Sequence, residues 1–382
     1  MLIMSGGLPL LILQLLAGVV LLVRLGRRPR RPLPLPKGLT PGSATVTVVI
    51  PARNEAPRIA AALAGAMRQG GVVAEIFVVD DESTDGTAEI VRAALDPRVR
   101  LIVGRRAPEG WLGKSWALQQ ALRHVRTEWL LCLDADARPA PGLAAAALAA
   151  ACGEGADALS VAPRFIVETA GERWLHPALL TTLIYRLGGG ATTPNRRGFV
   201  NGQCLLLRAE TVRRAGGFAA AAGAFADDFA LAAALVRSRA RVAFRDGSDF
   251  LEVKMYGSAG ETWRQWGRTL ALNEVTKPTQ QIYDIGLLAL TQAAPLPLAA
   301  ALAWNVGRAD ILSGALLAVN GLLLALRFAV LGSAARCYRP ARDVYWLSPL
   351  ADPLAVVRIA VSAIWPRREW RGRRYSRPRK TA

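Results

Sequence analysis

Apolar residues run almost unbroken through Leu8–Val23, Ile285–Val306 and Ile311–Leu331, and less cleanly through Trp346–Trp365. The first run, taken back to Met1, and the two that follow it match the roughly 20 residues a membrane-spanning helix needs. The short Gly307–Asp310 connection predicts a helical hairpin. The fourth run holds Pro349, Asp352, Pro353 and Arg358. A charge at the bilayer centre costs about 2.5–3.5 kcal/mol on insertion scales. This segment is therefore expected to be re-entrant or interfacial, with Trp346, Trp365 and Trp370 in an aromatic belt.

Between these runs the pattern changes. Short stretches at Thr45–Ile50, Glu75–Val79, Arg100–Val103 and Trp129–Leu133 read as strands, the first of them β-branched and buried. Helical patterns at Ala56–Met67 and Lys114–Arg123 alternate with them. Alternation of this kind predicts an α/β domain with a mostly parallel sheet. The expected organisation is an N-terminal anchor with a Pro/Arg linker at 1–43, an α/β domain at 44–280, and a membrane region with a basic tail at 281–382. Inside the middle domain, Trp174–Leu187 is apolar. It reads either as a core helix or as an interfacial helix guiding a membrane-dissolved acceptor, with Gly188–Gly190 as a movable loop.

Composition agrees with a membrane component: 52% of the 382 residues are hydrophobic and 20% charged, with a mean hydropathy of +0.25. The net charge of +19 divides as +6 over 1–43, +4 over 44–280 and +9 over 281–382. The excess flanks the apolar runs, as the positive-inside rule requires, whereas a nucleic-acid protein carries its basic stripe on the folded domain. Arg24, Arg27, Arg28, Arg30 and Arg31 follow the first run and no charge precedes it. That order predicts a retained anchor in the inner membrane with the catalytic domain on the cytoplasmic side, not a cleaved signal. The four cysteines are scattered without a CxxC pair, and only His124 and His176 are present, so zinc and a disulfide framework are not indicated.

Gly113-Lys114-Ser115 lacks the upstream glycine of a phosphate-binding P-loop, since Pro108 stands there. No dinucleotide fingerprint follows the first strand. The acidic residues are more informative. Asp134 and Asp136, one residue apart at a strand end, suit a hard divalent cation bridging diphosphate oxygens, although the triplet is also common in turns. Asp227-Asp228 reads as a helix N-terminal pair or as a general base. Arg264–Arg268 reads as an amphipathic helix anchored by Trp263 and Trp266, or as a cluster in which Arg268 meets phosphate and Gln265 meets sugar or acceptor.

VVIPARNE (Val48–Glu55), VVDDESTDGT (Val78–Thr87), GKSWAL (Gly113–Leu118), LDAD (Leu133–Asp136), DDFAL (Asp227–Leu231) and QWGRT (Gln265–Thr269) resemble family 2 glycosyltransferases of the GT-A fold. The resemblance implies a nucleotide-sugar donor, a Mg²⁺ or Mn²⁺ ion and an inverting displacement. It implies that Glu55, Asp81, Lys114, Asp134 and Arg268 bind donor, that Asp134 and Asp136 hold the metal, and that Asp228 is the catalytic base. Asp227, Gln265 and Trp266 are expected on the sugar or acceptor side, with Asn201 and Gln203 beside them. Thr269 stands where processive polysaccharide synthases carry Trp, which speaks against polymerisation. GWLGKSWAL, NGQCLLL, MYGSAGETWRQWGRTL and WLSPLADPLAVVRI look like cyanobacterial-type carotenoid 2′-O-glycosyltransferases. The acceptor implied is a hydroxylated carotenoid; a hopanoid, polyprenyl phosphate or glycerolipid is the alternative. A catalytically silent scaffold would be expected to lose carboxylates, and Asp81, Asp134, Asp136 and Asp228 are all kept. No nucleic acid or protein partner is indicated.

Overall fold

The computed structural model describes residues 2–26, 33–38, 44–188, 200–270, 272–273, 276–304, 310–366, 369–370 and 373–374. They form two compact units, each built from three separated stretches of chain. One holds Arg30–Ile166, Gly190–Met255 and Arg368–Ala382; the other holds Met1–Pro29, Val167–Gly189 and Tyr256–Arg367.

The first unit is organised by a seven-stranded sheet. Its strands are β1 (Val46–Ala52), β2 (Val73–Asp80), β3 (Val99–Val103), β4 (Trp129–Leu133), β6 (Ala158–Ala162), β8 (Cys204–Arg208) and β9 (Val242–Asp246). The order is β3-β2-β1-β4-β8-β6-β9. All the neighbouring pairs are parallel except the two made by β8, which runs against both β4 and β6. This is the α/β, mostly parallel sheet that the alternating pattern predicts. A second sheet includes β5 (Ala137–Pro139), β7 (Arg164–Ile166) and β10 (Leu251–Val253), with β10 between the other two. β1 and β4 are buried along their whole length, as central strands covered on both faces must be. Seven of the twelve residues of the helix Leu143–Glu154 are alanine, which lets its backbone lie close to the core. The proline stretch expected as a plain linker is pinned in part: Leu35 is buried and its N–H donates to the Asp246 carbonyl at 2.9 Å.

The second unit is helical. Gly7–Gly26, Ile311–Cys337 and Asp343–Ile364 are long and apolar enough to cross a membrane by length and composition. One expectation changes here. Ile285–Val306 is not one straight span, because Pro278–Ala293 and Pro295–Trp304 meet at a 41° bend. Pro295 cannot donate a helical hydrogen bond, and a π-helical stretch at Ala289–Ala293 precedes it. The segment expected to be re-entrant or interfacial, Trp346–Trp365, falls largely in a continuous 3-10 and α run, Asp343–Ile364. Its charges are met from within: Arg327 Nε donates to Asp352 Oδ2 at 2.8 Å, and Arg358 Nε to the Trp263 carbonyl at 2.7 Å.

Further polar pairs tie these helices together. Gln14 and Asn320 exchange amide bonds at 2.9 and 3.0 Å. Gln292 Nε2 donates to Asp352 Oδ1 at 2.8 Å and to the Ala178 carbonyl at 3.0 Å. Asp284 accepts Arg24 at 3.0 Å and Arg186 at 3.3 Å. Removing one member of a buried ion pair strands the other charge, at a cost of about 3–5 kcal/mol. Arg327→Met is therefore expected to lower the melting temperature in lipid nanodiscs sharply. A melting curve superimposable on that of the wild type would show that the Arg327–Asp352 pair does not hold the bundle.

The apolar stretch Trp174–Leu187 falls in the helix Ala170–Leu187, started by a capping box in which Thr169 and Glu172 satisfy each other's backbone N–H. Residues on all sides of it are buried, so it is a core helix of this unit and not an interfacial one. Beyond Gly188, the glycine loop expected there lies outside the described residues.

Candidate active site

The strand-end turns of β1, β2 and β4 gather the acidic residues on one edge of the sheet, where open α/β sheets bind ligands. After β1 the chain turns through Asn54, whose φ of +51° is left-handed. Asn54 Oδ1 accepts the Thr84 N–H at 2.9 Å, and the Glu55 N–H donates to Thr87 Oγ1 at 2.9 Å. The Ala56 N–H, at the start of the following helix, donates to Asp85 Oδ2 at 3.0 Å. These bonds lace the two turns together, and Glu55 and Asp81 are both buried in them.

Asp81 follows β2. Its N–H donates to the Ala52 carbonyl at 2.8 Å. Arg53 donates to its carbonyl oxygen from one side, while Arg373 Nη1 stands 3.1 and 3.3 Å from its two carboxylate oxygens. Burial pushes the Asp81 carboxyl upward, against the pull of Arg373 and Arg53.

Lys114 opens the helix Gly113–Leu122, and its ammonium lies 2.8 Å from Asp134 Oδ1 and 3.4 Å from Asp227 Oδ2. Burial works against its charge, but Asp134 and Asp227 outweigh that and hold the ammonium above its ordinary value. Asp227 and Asp228 form the first turn of the helix Asp227–Arg237. Asp228 Oδ1 accepts the Phe229 N–H at 2.9 Å. Burial, then the neighbouring Asp227 charge, raises the Asp228 carboxyl to about 7, with Lys114 pulling the other way. A carboxylate poised there is suited to taking a proton at neutral pH.

Asn201 and Gln203 lie next to this cluster but bond each other: Asn201 Nδ2 donates to Gln203 Oε1 at 3.0 Å, and the Gln203 N–H to Asn201 Oδ1 at 2.8 Å. The Gln203 carbonyl accepts the Asp134 N–H at 3.0 Å. Their amides thus brace the turn that carries Gly202. A Cβ built on Gly202 would sit 2.9 Å from Asp228 Cβ and 3.2 Å from Asp228 Cγ and Oδ2. Sequence reading passed over this glycine; the signal was its place between two amide residues. Gly202→Ala is expected to displace the Asp228 carboxylate and cut kcat by on the order of a hundredfold, since misplacements near 1 Å carry that cost. A Gly202→Ala enzyme with wild-type kcat would release Gly202 from that role.

Asp136 lines a cleft of about 270 Å³ with Pro57, Arg58, Ala61, Arg138 and Lys254. Three cationic side chains around one carboxylate suit a diphosphate carrying a metal ion. Among the described residues no three His, Cys, Asp or Glu side chains converge as a metal cage. Mg²⁺-like ions fit such a site, because they are commonly held by one or two carboxylates together with substrate phosphates.

Residues 47–215 match the model of Glycosyl transferase family 2. This segment belongs to glycosyltransferase family 2. The mannosyltransferase PcManGT of Pyrobaculum calidifontis, solved with GDP-Man and Mn²⁺, superposes with a TM-score of 0.55 at 24% identity, covering 94% of this chain and 98% of that one. The fold is accordingly the GT-A fold, with an apolar N-terminal helix and apolar C-terminal helices. Among curated proteins, the dolichyl-phosphate beta-glucosyltransferase of Trichomonas vaginalis is 36% identical over 118 residues, 28% of this chain and 34% of its own. The 4,4'-diaponeurosporenoate glycosyltransferase of Staphylococcus haemolyticus is 35% identical over 92 residues, 24% of each chain. The succinoglycan biosynthesis protein ExoO of Rhizobium meliloti is 41% identical over 91 residues, 24% of this chain and 25% of its own. The chain thus spans a quarter to a third of the length of these curated relatives.

The family 2 segment supplies Glu55, Asp81, Lys114, Asp134, Asp136, Asn201 and Gln203; Asp227 and Asp228 follow it in the same compact unit. Gln265 and Trp266 belong to the helical unit, on the helix Ala259–Thr269. There Trp266 stacks on His176 with ring centroids 4.0 Å apart, and His176 Nδ1 is 2.9 Å from the Tyr338 hydroxyl. The side chain of Arg268 lies outside the described residues.

Proposed function

We propose that the protein is a membrane-bound inverting glycosyltransferase that moves a sugar from a nucleotide-sugar donor to the hydroxyl of a lipophilic acceptor, a hydroxylated carotenoid in the first instance. The observation that carries this reading is the placing of the Asp228 carboxylate at the strand-end edge of a GT-A sheet, packed against Gly202 and next to Asp227, whose carboxylate lies 3.4 Å from the Lys114 ammonium.

A sugar or alcohol hydroxyl is a weak nucleophile, and an aligned carboxylate that accepts its proton makes attack feasible. Asp228 has that task in this reading. Lys114 holds Asp134 and Asp227 in place. Arg58, Arg138 and Lys254 offer positive charge to the departing nucleoside diphosphate in the cleft beside Asp136. Bound Mg²⁺ or Mn²⁺ would neutralise charge on that leaving group. Asp136 is the carboxylate assigned to hold it, because the Asp134 carboxylate is engaged by Lys114.

The relatives named for 4,4'-diaponeurosporenoate support a carotenoid acceptor. The relative named for dolichyl phosphate supports a second reading, a polyprenyl phosphate acceptor. The test is expression in a bacterium engineered to make hydroxylated carotenoids, with pigments read by mass spectrometry. A new glycoside is expected, and its mass names the sugar class. No mass shift, with folded protein in the membrane and donors supplied, would move the assignment to polyprenyl phosphates.

A further inference from the structure

The basic C-terminal stretch does more than carry charge. Glu369–Trp370 and Arg373–Arg374 pair as short antiparallel strands, with Glu369 opposite Arg374 and Trp370 opposite Arg373. They belong to the sheet-bearing unit, although the chain reaches them from the last helix of the other unit. Arg373 Nη1 engages both carboxylate oxygens of Asp81 at 3.1 and 3.3 Å, and Nη2 pairs with Glu82. From the opposite side Arg53 donates to the carbonyls of Asp81 and Glu82. With Arg373 in place the Asp81 side chain is only 2% exposed. A planar group with an N–H donor cannot reach this carboxylate while the guanidinium covers it. Arg373 itself stays 20% exposed and its second partner, Glu82, 43%, so water reaches the guanidinium from that side and can take its place there.

We propose that the paired segments Glu369–Trp370 and Arg373–Arg374 act as a strap that closes the Asp81 end of the donor site by seating Arg373 on Asp81, so that nucleotide and strap compete. This rests on the reading of the strand-end edge as a donor site. The strap sets a donor threshold: nucleotide binding has to displace Arg373, and the apparent affinity is weaker than that of the open site by the same factor.

The test uses the full chain in nanodiscs, titrated with GDP and with UDP in the presence of Mn²⁺. Arg373→Gln is expected to bind one of these nucleotides about fivefold tighter or more, the lower end of ordinary coupling between sites. In the wild type, saturating nucleotide is expected to speed amide hydrogen exchange at 369–374. Weaker binding by Arg373→Gln would make this arginine a donor ligand and overturn the strap. Equal affinities, or exchange unmoved by bound nucleotide, would overturn the strap alone and leave the proposed function standing. Failure of both proteins to bind either nucleotide would remove the donor site, and the strap with it.

Discussion

Asp228→Asn is expected to lower turnover by about 10²–10⁴-fold, the range in which a positioned general base contributes. The amide is nearly the same size and leaves the Gly202 approach intact, but it cannot take the acceptor proton. Donor affinity is expected to stay close to wild type. A second signature comes from pH. The active form of Asp228 is the ionised one, and burial with Asp227 holds its carboxyl at about 7. In the wild type kcat/KM therefore rises as pH increases through about 7 and flattens above it. The Asn variant loses that ascending limb. A near-normal rate in Asp228→Asn would take the base role from this residue, whatever the pH profile.

The second large effect is expected at Asp136. Among the described residues no acidic cluster substitutes for it as a metal cage, and it is the carboxylate that shares a cleft with Arg58, Arg138 and Lys254. Asp136→Ala leaves those three cations in place. Residual nucleotide binding in the variant should therefore be electrostatic, weakened by salt, and indifferent to Mn²⁺. Calorimetric titration of a nucleoside diphosphate with and without Mn²⁺ separates the two contributions. Undiminished Mn²⁺-dependent binding by Asp136→Ala would move the metal elsewhere.

The strands that carry the site were readable because their signal is local. Val46–Ala52, Val73–Asp80 and Trp129–Leu133 are built round apolar or β-branched runs followed by acidic or turn residues, and the predicted limits lie within two residues of the observed ones. The Asp134-x-Asp136 and Asp227-Asp228 pairs were visible for the same reason. What joins them was not. Lys114 and Asp227 are far apart in the chain and meet only once β4 and β8 lie side by side. The amide exchange between Asn201 and Gln203 is a matter of side-chain geometry, which composition does not encode. Asp352 and Arg358 argue against a clean span in the last apolar segment because hydropathy counts a charge as a cost. The partners that offset it, Arg327 and the Trp263 carbonyl, come from other parts of the sequence. Arg373 was hidden in a run of like charges, where no single arginine is distinguishable from its neighbours.

The interleaving of the two units has a consequence for how the protein is made. Neither unit is a contiguous stretch: β9 and β10 of the sheet-bearing unit are translated after the helix Ala170–Leu187 of the other. During synthesis that helix leaves the ribosome long before Tyr256–Arg367, with which it forms one compact unit, exists. An apolar helix waiting for its partners is a sticky intermediate. Gly7–Gly26 is long and apolar enough to cross a membrane, and capture of the nascent chain there would keep such a helix near the bilayer until its partners arrive. A fragment cut at 44–255 keeps every strand of the main sheet but inherits the stranded helix.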